Sequence, residues 1–359
     1  MLRWMVPLIA AFGFAWWWLM TSDEPAAAKG FATRRPADAG APSEAGERAQ
    51  RYWADAETAV ATGELERGRV LLEGYLKTEA PAAVVLELLS TIARRQGDAA
   101  TALAYAENAV ELAPQRSSAY VAKALALQKR LAGMNKLRAL LHAGDLEATT
   151  ARAVELDPQN VAALVHRAHF LLYAPSVAGG DLDAVSDIAT QLASLDPAQA
   201  TALDALVLHR RGRIDDAIAR CRAGLDEHPR AQQLHWILGR LLNEVKDREG
   251  AEAAFRAALH GEDDEARYNA SYKLAKLLIQ DGREHEEAVA LLTGFLDGLR
   301  RTDLQNVASA AHWWIGQAHE GLGRVDAARA AYAEALRLDE GFAQARVALD
   351  KLKPLDRDR

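Results

Sequence analysis

Cysteine is almost missing from this chain, which has a single one, Cys221, in 359 residues. One thiol can form no intramolecular disulfide and no thiolate metal site, and none lies near the N-terminus to carry a lipid. That usage fits either side of a bacterial inner membrane. Aromatics are also sparse, at 6%. With half of the residues apolar and alanine and leucine abundant, helices are favoured over sheets. No basic excess exists either: 43 Lys and Arg stand against 50 Asp and Glu, a net charge of −7. The cations are scattered, which argues against a protein whose main work is holding nucleic acid. A glycine-rich phosphate loop and a nucleophile elbow are both lacking.

What is present begins with an apolar stretch. After Arg3, the residues from Trp4 to Met20 carry no charge, and Asp23 and Glu24 follow. As a helix this span would cover roughly 25 Å, the short end of what crosses a bilayer. Trp4 at one end and Trp16, Trp17 and Trp18 at the other stand where indole rings prefer the headgroup region. Residues 1–20 are read as a transmembrane signal anchor, with a cleaved signal peptide ending at the alanines 26–28 as the alternative. Arg3 before the span and acids after it place the body outside, in the periplasm of a bacterial inner-membrane, single-pass protein. Residues 21–48, half Ala, Pro and Gly, form a flexible linker.

From residue 49 the chain repeats. Ser90, Ala102 and Ala109 are spaced by twelve and seven; Ala205, Ala217 and Gly224 repeat that spacing, as do Gly239, Ala251 and Ala258, and Gly316, Ala328 and Ala335. Residues seven apart share a helix face, and small side chains there let two antiparallel helices approach. Larger apolar residues, such as Ile315, Val325, Tyr332 and Leu338, are expected to fill the remaining volume. Glycines 63, 97, 212, 282 and 323 mark turns between paired helices. The pattern, with fragments such as "GDAATA", "AVELDP" and "EALRLDE", resembles the tetratricopeptide repeat, a helix-turn-helix unit of about 34 residues.

The expected fold is therefore all-α: a right-handed α-solenoid of about eight such repeats over 49–353, closed by a C-terminal capping helix, with a solvated tail at 354–359. The third and fourth units are longer than the family length, within 128–158 and at 173–181. Such insertions are either tolerated surface loops or contacts for a partner.

No catalytic group stands out. His166 and His169 are three apart and His312 and His319 seven apart, but neither pair brings the companions of a zinc site. Cys221 is expected to be buried and inert. Asp215-Asp216 and Asp263-Asp264 stand at helix starts, where they favour the dipole. No catalytic residue, cofactor, metal or small-molecule substrate is expected. In repeats of this family the first helices wall a concave groove, and residues one turn apart point the same way. The candidate partner-binding residues are therefore Trp236 with Arg240, Tyr272 with Lys276, and Trp313 and Trp314 with Gln317. Ring packing between helices is the competing role. Lys273, Lys276, Asn269 and Arg240 only faintly echo the clamp by which some family members hold an acidic C-terminal peptide. The functional expectation is a non-enzymatic, membrane-anchored scaffold that binds a segment of an envelope protein. The alternative is an accessory subunit of an enzyme or maturation system, such as cytochrome c biogenesis, presenting a substrate chain.

Overall fold

The structure, a computed structural model, describes residues 44–78, 82–261, 263–299 and 307–352. The apolar span 4–20, most of the linker and the tail lie outside those residues. No described helix is long and apolar enough to cross a membrane.

Among the described residues the chain is all-helical, with no strand, and it falls into two compact units, one ending at Glu227 and the other starting at His228. In the first unit, α1 (Glu44–Ala61) pairs with α2 (Leu65–Thr78), and α3 (Ala83–Arg95) with α4 (Ala99–Leu112). Next, α5 (Ser117–Ala132) pairs with α7 (Ala143–Leu156) across the short α6 (Lys136–Leu141). Two more hairpins, α8 (Val161–Tyr173) with α9 (Leu182–Leu192) and α10 (Pro197–Arg210) with α11 (Ile214–Glu227), complete it. The second unit contains α12 (Gln232–Glu244) with α13 (Arg248–Ala258), α14 (Asp264–Gln280) with α15 (His285–Gly298), and α16 (Ala308–Gly321) with α17 (Val325–Leu338). A final helix, α18 (Ala343–Lys351), packs on α17. The first helix starts at Glu44, before the residue 49 at which repetition becomes visible in the sequence.

Six of these hairpins turn in the same way. The second residue after the first helix takes a left-handed conformation, and the next amide reaches back to a carbonyl of the last turn, as when Asp98 N donates to Ala93 O at 2.9 Å. Gly63, Gly97, Gly212, Gly282 and Gly323 hold that position, where a side chain would be strained. In the sixth hairpin the position belongs to Lys246, at φ 65°. The glycine rule therefore found five of these turns and missed the one built without glycine.

The recurring small residues are buried: Ala102, Ala109, Ala217, Ala251, Ala258, Ala328 and Ala335 have no exposed surface. The glycines of the first helices do more than let backbones meet. A Cβ on Gly239 would stand 2.5 Å from the Phe255 ring, and one on Gly316 would meet Tyr332 at 2.3 Å. Each glycine is the floor of a slot for an aromatic ring of the partner helix. Ser90 solves the same problem by donating its hydroxyl to Ala102 O at 2.7 Å. The expectation for Val325 and Leu338 is corrected: standing at the two ends of α17, they are 42% and 43% exposed, because packing is concentrated in the middle of the hairpin.

Ion pairs tie the second helices together. Arg256 of α13 bonds Glu284 and Glu287 at the start of α15, and Arg283 reaches back to Glu252. The two insertions also meet. Ala178, in the turn that lengthens the fourth repeat, packs on the apolar cluster of Leu131, Ala139 and Ala143 built by α5, α6 and α7.

Candidate functional site

Successive first helices touch in the second unit, α12 with α14 and α14 with α16, so their side chains form one wall. All seven candidate residues belong to these first helices, but they are not equally offered to a ligand. Trp236 is only 2% exposed; its ring lies 5.7 Å from Phe255, the ring seated over Gly239. Tyr272, buried to 7% exposure, meets Phe295 of α15 with the rings tilted and their centroids 5.3 Å apart. The reading of these two rings as groove residues is corrected. At their register the first helix faces its own hairpin partner, and burying a large ring there stabilises the pair more than leaving it in water.

The cations beside them are half-buried and lie against the rings. Arg240 sits over Trp236 at 5.7 Å and Lys273 over Tyr272 at 5.9 Å. Lys276 reaches beyond its own helix. Its ammonium crosses to the next repeat and lies 5.4 Å above the ring of Trp314. Each such contact is worth about 0.5–2 kcal/mol depending on how dry it is.

Trp313 and Trp314 are both half-buried and meet edge to face at 4.4 Å. Trp313 also meets Phe342, just before α18, edge-on at 6.3 Å. Its indole nitrogen is buried and has no acceptor among the described residues, so its polar edge is turned into the protein. Trp313 is thus tied by its indole edge and Phe342 to the body of the hairpin, and Trp314 is the half-buried ring flanked by a cation. Gln317 is engaged internally: its amide donates to the Tyr332 hydroxyl, which in turn donates to Glu320. Burial and that carboxylate push the Tyr332 phenol well above the usual tyrosine range. Asn269, on α14, is 2% exposed, and its amide nitrogen has no partner among the described residues.

Sequence reasoning placed the seven candidate residues on first helices but could not rank them. Lys273 over Tyr272, the crossing of Lys276 and the role of Phe342 escaped it, since each depends on how one hairpin is rotated against the next. Only the interruption of alanine-rich helix by paired tryptophans signalled this place.

The histidine pair in the first unit behaves as packing. His166 and His169 line an apolar cavity of about 120 Å³ together with Leu131, Leu146, Phe170 and Tyr173. Burial holds the His166 imidazole down to about 3 and that of His169 to about 4, so both are neutral near pH 7. No group of three or more His, Cys, Asp or Glu side chains suited to a metal occurs among the described residues. Cys221 has no exposed surface, and burial pushes its thiol up to about 12, so the thiolate is not populated.

Comparison with known proteins agrees with this geometry. Residues 203–270 and 309–342 match models of the tetratricopeptide repeat. The crystal structure of yeast Tom70 aligns over 95% of this chain and 68% of its own, at 16% identity and a TM-score of 0.62. A chain of the APC/C hetero-tetramer Cut9-Hcn1 aligns at 14% identity and a TM-score of 0.48, over 84% of this chain. This chain spans only 55% of that one's length. The MamA protein matches 46% of this chain and 87% of its own, at 21% identity and a TM-score of 0.36. No curated protein sequence matches. The repeat models and the Tom70 likeness carry the fold: the chain carries tetratricopeptide repeats.

Proposed function

From a chain built of tetratricopeptide repeats, we propose a non-enzymatic scaffold that binds a segment of an envelope protein on the first-helix wall of its second unit. The observation that carries this reading is the half-buried Trp314, braced from below by Trp313 and covered on one side by the Lys276 ammonium. Aromatic rings fixed by their neighbours bind at low entropic cost, and they supply much of the energy at protein interfaces. Lys276 adds a cation beside the ring, suited to a carboxylate or carbonyl of the bound segment.

The apolar span 4–20 would hold this body at a bacterial inner membrane, with the repeats in the periplasm and the Ala/Pro/Gly segment as a tether. Its tryptophans and the Arg3-before, acid-after charge order support that placement. A topology reporter fused after Arg359 tests it: periplasmic activity supports the placement and cytoplasmic activity refutes it. The binding reading is tested with the partner recovered from membranes by the full chain. Trp314→Ala should weaken its affinity by about thirtyfold, the loss of roughly 2 kcal/mol typical of an interface anchor. Unchanged affinity would refute the site.

A further inference from the structure

The three most exposed large apolar side chains among the described residues are Leu141 at 74%, Leu137 at 70% and Val177 at 68%. All three lie in the two insertions that lengthen the third and fourth repeats. Leu137 and Leu141 are one turn apart on α6, on the face opposite Ala139, which anchors that helix to the body with no exposed surface. The turn holding Val177 packs on the same cluster through Ala178. An insertion tolerated merely as a solvated loop has no need to raise its leucines into water.

Along α6 and the residues that flank it the charge is of one sign, while the turn at 176–178 is followed by Asp181, which caps α9, and by Asp183, which is paired with Arg211. Residues 128–144, "QKRLAGMNKLRALLHAG", contain Lys129, Arg130, Lys136 and Arg138 and no Asp or Glu, in a chain whose acids outnumber its bases. Lys136 and Arg138, exposed, flank Leu137 on either side. Asp145 is the first acid after the segment, and Glu147 is engaged by Arg167 at 2.7 Å. Exposed leucines framed by cations match an interface whose outer layer is anionic and whose interior is apolar.

We propose that α6 and the turn at 176–178 form a peripheral membrane-contact site that inserts Leu137 and Leu141 among the acyl chains of an anionic lipid surface. Lys136 and Arg138 sit at its headgroups. The site lies in the first unit and shares no residue with the partner wall or the apolar span 4–20, so it stands or falls without them.

Cys221 is buried, so a single engineered cysteine can be labelled selectively. Gly144 serves, because a side chain there meets nothing within 4 Å. The full chain carrying Gly144→Cys, labelled with an environment-sensitive fluorophore, is mixed with phosphatidylglycerol vesicles containing a quencher-bearing lipid. The site requires a blue-shifted, quenched emission that is weaker with phosphatidylcholine and is reduced at 0.5 M salt. Leu137→Asp with Leu141→Asp should cut the quenched fraction by at least about tenfold, the removal of two apolar anchors worth more than 1.4 kcal/mol together. Both leucines are exposed, so unchanged circular dichroism checks that the variant folds. Emission indifferent to vesicles, equal quenching with both lipids, or quenching unaltered by the double substitution would each overturn the proposal. Protection of the label by a protein partner alone, with no lipid effect, would overturn it as well.

Discussion

A single methyl group added at Gly239 measures the packing rule on which the repeats are built. Its carbon would lie 2.5 Å from Phe255 Cδ1, 2.6 Å from Cε1 and 3.1 Å from Cγ. Carbon atoms rest at about 3.5–4.0 Å, so the ring must retreat by roughly 1 Å. It has nowhere to go: Phe255 is 1% exposed and is held against Trp236, itself buried. Overpacking of this kind costs about 1–3 kcal/mol, while replacing a helical glycine by alanine returns about 1 kcal/mol of propensity. The net effect of Gly239→Ala should be a loss of about 1 kcal/mol, read as a lower urea midpoint. Gly294 provides the opposite case. It lies within α15, is exposed, and an added methyl meets nothing within 4 Å. There the same substitution should stabilise by about 0.5–1 kcal/mol. Combining Gly239→Ala with Phe255→Leu should restore part of the loss, since the smaller side chain vacates the contact. If Gly239→Ala stabilises the protein as Gly294→Ala does, the glycine is not the floor of a ring slot and the reasoning fails.

Further outcomes follow from single features. Lys246→Gly should raise stability by about 1 kcal/mol by removing a side chain from a left-handed turn; a lower thermal midpoint would contradict it. For His166 the folded imidazole stands near 3 against 6.5 unfolded. The unfolded chain therefore binds the proton first, and the stability due to this neutral ring is complete above pH 6.5 and drains as pH falls toward about 3. His166→Leu should flatten that part of the pH profile of urea unfolding, and an unchanged slope would count against the burial argument. Cys221 should resist thiol reagents at pH 8 in the native protein and react fully once unfolded; rapid native labelling would contradict its buried state. Trp236→Ala should destabilise by about 3–5 kcal/mol, as expected for emptying a core site of a large ring.

The hairpins were legible in the sequence because spacing and small size are local properties. Gly239, Ala251 and Ala258 need only their positions in the chain to declare one packed face, and Gly97 or Gly323 declares a turn by its lack of a side chain. The candidate site was legible only as a set of residues. Trp236 and Trp314 look alike in sequence, yet one fills a slot beside Phe255 and the other keeps part of its ring in solvent. What separates them is one position of helix register and the presence of a second-helix ring opposite, neither of which a single helix encodes. The crossing of Lys276 from its own helix to the next repeat is likewise a property of stacking. The insertions show the converse: their lengths were visible at once, while the outward leucines of α6 required knowing which face Ala139 buries.

The central claim, that the first-helix wall around Trp314 receives a protein segment, is tested most directly by photocrosslinking in membranes. A photoreactive residue is placed in turn at Lys276 and at Arg337, an exposed position of α17 whose ion pair with Glu334 is solvent-screened. The account predicts one discrete adduct from position 276, lost on Trp314→Ala, and none from position 337. Equal adducts from both positions, or an adduct from 337 alone, would contradict it.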